Sequence, residues 1–178
     1  MIVVADTGPL IALSKLGWMD LLDVFDGVVV IPPYVERELL SKPATETEAI
    51  EQALSSRLQV QEVPALSAAT REIVDRLDAG ERQAVSMAAE LDEDTVLLVD
   101  DQVGRRAARR LECAVTGVIG LLLRARETGR VDTVTPLLMR LRETGYWLSA
   151  EIIEHARGAF PCDPVDRTRG RDVVWTRR

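Results

Sequence analysis

Histidine is nearly absent from this chain. His155 is the only one among 178 residues, and it stands far along the sequence from the acids considered below. A histidine general base or a Ser-His-Asp triad is therefore a poor account of any chemistry here. Cysteine is limited to Cys113 and Cys162, whose separation suits a reduced cytoplasm better than a secreted disulfide framework. Aromatic residues make up only 4%, so stacking platforms for single-stranded bases are scarce. No window reaches the roughly 18 apolar residues of a membrane span, and Asp6 interrupts the first apolar run before a signal-peptide core forms. A soluble cytoplasmic protein is expected. Positive charge is also short, 22 Lys and Arg against 29 Asp and Glu, and the net charge of -7 argues against broad electrostatic adhesion to nucleic acid.

What is present is a globular composition, 47% hydrophobic and 29% charged, on a length that suits one domain with a real core. Ile2 to Ala5, Val28 to Ile31 and Thr95 to Val99 are short apolar runs with no polar face, which predicts strands buried on both sides. Leu58 to Val63 alternates, and Ala114 to Thr116 reads as a last short strand. Helical spacing covers Pro9 to Leu16, Trp18 to Phe25, Tyr34 to Ser41, Glu46 to Ser56, Ser67 to Leu77, Gly80 to Glu90, Gly104 to Leu111 and Gly117 to Glu127. Two more helices are expected over Val134 to Glu143 and Ser149 to Arg157. Strands separated by helices predict an α/β fold with parallel pairing and right-handed crossovers. From Pro161 onward Pro, Gly and charge replace periodicity, so a domain over 1–160 and a disordered tail over 161–178 are expected.

The first strand runs into Asp6-Thr7-Gly8-Pro9, where Gly-Pro reads as a sharp turn into a helix. That places the Asp6 carboxylate at the carboxyl end of a central strand, the edge where open α/β sheets bind ligands. Asp6 could equally cap the helix that follows. Other acids decide between these readings if they reach the same edge. Glu38 lies about a turn into the helix after the second strand, with Glu36 beside it; ordinary solvent exposure would also explain both. Asp78-Ala79-Gly80-Glu81 fits a capping box, with Asp78 as N-cap and Glu81 returning to its backbone N–H. Asp100 and Asp101 end a buried strand, where one suffices to cap a helix and two repel each other. A cation would remove that repulsion. Hard oxygen ligands without Cys or several His point to Mg²⁺ or Mn²⁺ rather than zinc. Two such ions can activate water and stabilise the leaving oxygen in phosphodiester hydrolysis.

Five segments in order carry a resemblance: Val-Val-Ala-Asp6-Thr-Gly-Pro-Leu-Ile-Ala-Leu; Ile-Pro-Pro-Tyr-Val35-Glu-Arg-Glu38-Leu; Leu-Asp-Ala-Gly-Glu81-Arg-Gln-Ala-Val; Leu-Leu-Val-Asp100-Asp101; and Val-Thr116-Gly117-Val-Ile-Gly-Leu-Leu. Together they resemble the PIN domain, over roughly Met1 to Phe160, and within it the branch of small prokaryotic proteins related to VapC-type toxins. The resemblance implies a three-layer α/β/α sandwich with a central parallel sheet, extra C-terminal helices, and an acidic Mg²⁺-dependent ribonuclease site. It assigns Asp6, Glu38, Glu81 and Asp101 as catalytic and metal-binding acids, with Asp100 as a neighbouring ligand. Glu38 is preferred to Glu36 by the pattern Val, two residues, Glu, aliphatic. Glu81 stands where many relatives carry Asp. Thr7 and Thr116 could support the acids by hydrogen bonding. It also implies RNA, a small antitoxin protein and a second copy of the chain as partners.

Positive charge collects in three runs: Arg105, Arg106, Arg109 and Arg110; Arg124, Arg126 and Arg130; Arg140 and Arg142. Any one of them reads as a solvated helix face, but Arg105, Arg106 and Arg109 follow Asp101 closely and are candidates for RNA contact. Two other classes compete. A haloacid-dehalogenase-type phosphatase needs a second Asp two residues after the nucleophile, where this chain has Gly8, and the only lysines, Lys15 and Lys42, are misplaced for it. A non-catalytic nucleic-acid-binding or scaffold module would keep the same acids without turnover.

Overall fold

The aliphatic runs at the sequence level become the middle of the sheet. In the computed structural model, which describes residues 1–41, 44–91 and 94–146, β1 (Ile2–Ala5) and β4 (Thr95–Leu98) lie side by side with Val3, Val4, Ala5, Leu97 and Leu98 fully buried. β2 (Val28–Ile31) and β3 (Leu58–Val60) extend the sheet on one side and β5 (Ala114–Thr116) on the other. All pairs are parallel and the order is β3-β2-β1-β4-β5. The chain thus winds outward from β1 in one direction, then returns to β1 and winds outward in the other. In open α/β sheets such a reversal is where a ligand crevice forms, and here it falls at the carboxyl ends of β1 and β4.

Alternate residues of each strand feed two separate cores. Val3, Ala5, Val29, Ile31 and Leu98 face α1 (Thr7–Leu16), α3 (Ala44–Ser56), α7 (Val118–Glu127) and α8 (Thr135–Glu143). Val4, Val30, Leu97 and Val99 face α4 (Ala68–Val74), α5 (Ala79–Glu90) and α6 (Gln102–Arg110). α2 (Pro33–Leu40) leaves the end of β2, buries Val35 and Leu39, and packs against both α1 and α5. This is the expected three-layer α/β/α sandwich with an all-parallel sheet. Among the described residues no helix is long and apolar enough to cross a membrane.

Three elements differ from the sequence reading. The helix after β1 begins at Thr7, so Gly8 and Pro9 lie inside its first turn and not in a separate turn; proline is tolerated there because its missing N–H has no partner to lose. Trp18 to Phe25 is a 3-10 helix over Met19–Val24. Gly17, at φ +69°, ends α1 in the left-handed region, and the tighter winding buries Met19, Leu21, Leu22 and Val24 in the short span before β2. The helix expected from Ser67 is shorter, and Ser67 caps it by accepting the Thr70 N–H at 3.2 Å. The helix expected over Ser149 to Arg157, His155, Cys162 and the tail fall outside the described residues.

Candidate active site

Asp6 stands at the crevice because its backbone is still part of the sheet: its N–H donates to Leu98 O at 3.0 Å. The side chain is 8% exposed and makes no capping bond to α1. Burial pushes its pKa up to about 6; the nearby charges of Asp78 and Glu38 add to this, while the Thr7 and Gly8 N–H groups oppose it. Asp6 thus stands at the N-cap position of α1 and feels the N–H groups of its first turn, yet its buried carboxylate makes no full capping bond there.

Glu38 reaches Asp6 from α2. The Thr7 hydroxyl donates to Glu38 Oε2 at 2.7 Å, tying the first turn of α1 to the middle of α2. This contact selects Glu38 over Glu36 as the acid brought to the crevice. The approach depends on Gly80, where an added Cβ would stand 3.1 Å from Glu38 Oε2 and 3.8 Å from Asp6 Oδ1.

The third and fourth acids form a pair. Asp78 caps α5 by accepting the Glu81 N–H at 2.9 Å, as expected. The reciprocal half of the capping box is replaced: the Glu81 side chain turns to Asp101. Burial and then Asp101 itself raise the Glu81 pKa to about 8, with Asp78 and Asp6 contributing. Asp101 is the N-cap of α6, its Oδ1 accepting from Val103 N–H at 2.6 Å and Gly104 N–H at 3.3 Å. Burial pushes Asp101 up, but the Val103 N–H, Glu81 and the Gly104 N–H together hold it below the usual carboxylate range. The contact between the two carboxyls raises Glu81 and lowers Asp101, as expected of a pair that titrates together.

Asp100 points elsewhere. Its Oδ1 accepts the Val118 N–H at 3.0 Å, so it caps α7, and it is packed against Gly117, where no side chain fits. Its Oδ2 and the Tyr146 hydroxyl are both buried without a completed hydrogen bond, although the hydroxyl faces the carboxylate closely enough to favour its charge. Burial nonetheless raises Asp100 overall, against Tyr146, the Val118 N–H and the Arg105 charge. The two adjacent aspartates therefore serve different helices, and only Asp101 meets another acid of the crevice. Thr116 is buried at the end of β5 with its hydroxyl against Gly120.

The arginines divide as well. Arg105 is half-buried and donates from Nη1 to Val99 O at 2.8 Å, bracing the end of β4. Arg106 and Arg109 are exposed, Arg106 Nε donating to Gln102 O at 3.1 Å. Two groups escaped the sequence reading. Asp78 was read only as a cap, yet its charge reaches both Asp6 and Glu81; its place three residues before Glu81, at the same helix end, was the available signal. Tyr146 left no signal, since only folding brings it to Asp100.

Glu38, Asp6, Glu81 and Asp101 thus run in sequence along the crevice, with Asp78 beside the middle two. Among the described residues no three Asp, Glu, His or Cys side chains are close enough to enclose an ion. The donor chemistry does suit a hard divalent cation: all donors are oxygens, and although burial is the main reason Asp6 and Glu81 are raised, the neighbouring acids add a repulsion that such a cation relieves. A family model described as PIN domain matches residues 2–159. No curated protein matches the chain.

Proposed function

Since this chain belongs to the PIN domain family, a nuclease-type fold, we propose that it is a divalent-metal-dependent ribonuclease and the toxin of a type II toxin–antitoxin pair. The observation that carries the catalytic reading is the placement of Asp6, buried at the sheet's reversal point with Glu38 on one flank and the Glu81–Asp101 pair on the other. Mg²⁺ or Mn²⁺ held by Asp6, Glu38, Glu81 and Asp101 would supply an activated water and neutralise charge on the leaving oxygen. Thr7 orients Glu38 through its hydroxyl. Asp78 fixes the first turn of α5 and so sets where Glu81 enters the crevice. Glu81, raised by burial and by Asp101, would have to give up a proton to serve as a ligand, so binding of a cation near neutral pH would be accompanied by proton release. RNA is the substrate on this reading, with a small antitoxin and a second copy of the chain as protein partners.

One observation favours a non-catalytic binding module instead: no three of the described acids are close enough to enclose an ion. Incubating the purified chain with single-stranded RNA and Mg²⁺ or Mn²⁺ separates the two. The nuclease reading expects metal-dependent fragments, their loss in Asp6→Asn, and inhibition by the product of a short neighbouring reading frame. RNA binding without fragments under either metal would leave the binding module.

A further inference from the structure

Tyr34 lies outside both hydrophobic cores and keeps 37% of its surface in solvent. It is nonetheless fixed in place. Pro32 and Pro33 set the backbone as it enters α2, the Tyr34 N–H donates to Gln83 Oε1 on α5 at 3.0 Å, and the Arg37 guanidinium lies over the ring, 5.1 Å from its centroid. Glu38 follows one helical turn later on the same face of α2. The ring consequently borders the acids: a Cβ placed on Gly80 would have Glu38 Oε2, Tyr34 Cδ1 and Asp6 Oδ1 all within 4 Å.

A rigid, half-exposed ring at the rim of a carboxylate crevice is a surface on which a flat, uncharged group can rest at little entropic cost. The acids repel a phosphate approaching alone, and Arg37 supplies the opposing charge beside the ring. We infer that Tyr34, backed by Arg37, is a stacking platform for an unpaired base of single-stranded RNA, seating the nucleotide whose phosphate meets Asp6 and Glu38. This rests on the nuclease reading and narrows its substrate to single strands and loops, because the bases of an RNA duplex are already stacked. The low aromatic content of the chain argued against base stacking; one ring placed here is enough.

The test compares Tyr34→Ala and Tyr34→Phe with the parent. Binding is read in the Asp6→Asn background with Mg²⁺ present, on a short single-stranded RNA and on the same oligomer with its bases removed; cleavage is read in the Asp6 background. Tyr34→Ala is expected to weaken binding to the intact oligomer by about 5- to 100-fold, the range for loss of one base–aromatic stack. The salt dependence of binding should stay unchanged, since no phosphate contact is lost. Tyr34→Phe should bind like the parent, and the base-free oligomer should not distinguish the variants. Equal binding of Tyr34→Ala and parent to intact RNA, with the parent cleaving normally, overturns the platform. An equal loss on the base-free oligomer also overturns it, by showing a distorted site. A parent chain that neither binds nor cuts RNA brings down the nuclease reading itself and the platform with it.

Discussion

At the β1–α2 end of the crevice, Glu38 is held by a neutral donor, the Thr7 hydroxyl at 2.7 Å. At the α5–β4 end, Glu81 is held by another carboxylate, Asp101. The first contact uses a proton that the hydroxyl always carries. The second is favourable while one of the two carboxyls is protonated, so on the proposed reading it is the end that a cation would change. Asp6 lies between them and its charge interacts with both. On the proposed reading the crevice has a preset side and a side that ion binding would rearrange, and each side can be broken separately.

Removing the shared member has the largest expected effect. Asp6→Asn should lower cleavage by about a thousandfold or more and abolish most of the rise in thermal midpoint that Mg²⁺ produces in the parent. A variant that keeps both would show that the two ends do not share a site.

Glu81→Gln addresses the rearranging side alone. The amide can still accept a hydrogen bond, and the cap from Asp78 to the residue-81 N–H is untouched, so a purely structural role predicts a stability change of about 1 kcal/mol or less and ordinary cleavage. A ligand role predicts a fall of about a hundredfold at low Mg²⁺, partial recovery at high Mg²⁺, and equal or higher metal-free stability. Cleavage that follows the parent across a Mg²⁺ titration would reduce the site to three acids.

The pH dependence follows from the same pair of elevated groups. Asp6 rises from 3.8 to about 6 and Glu81 from 4.5 to about 8, so between these values the folded chain binds more protons than the unfolded one. Their contribution to stability is full below the unfolded values and declines as pH rises through the folded ones. The metal-free thermal midpoint should fall between about pH 5 and about pH 8.5, with Glu81→Gln removing the upper part of that fall and saturating Mg²⁺ flattening it. A metal-free midpoint that climbs over this range in the parent would contradict the buried, repelling arrangement.

Smaller effects belong to the preset side and to the rim. Thr7→Val deletes the hydroxyl donor and should cost about 1 kcal/mol of stability and about tenfold in cleavage through a less well-held Glu38; denaturant melts and initial rates read both. Arg106→Ala with Arg109→Ala spares Arg105, which braces β4. If these two exposed side chains contact phosphate, the double variant should lower the salt slope of RNA binding by about one per contact. An unchanged slope would make them a solvated helix face.

The layered frame and most of the acids' addresses can be read from residue pattern alone. β1, β2 and β4 were legible because a strand covered on both faces has to be aliphatic throughout, and a parallel sheet needs helices between its strands. Asp6 and the Asp100–Asp101 pair were legible as edge residues because each directly follows such a run. Only the tertiary structure decided what each carboxylate does there. Asp101 caps the helix beginning at its own neighbour, whereas Asp100 caps α7 across 18 residues, a pairing set by how β5 aligns with β4. Glu38 is met by a hydroxyl 31 positions earlier, and the Glu81 side chain turns to an acid on another element while its N–H stays on the Asp78 cap. Local pattern places a residue on an element and a face, because those follow from backbone period. The partner its side chain meets depends on how elements distant in sequence are packed, and a buried carboxylate must find that partner because water can no longer stabilise its charge.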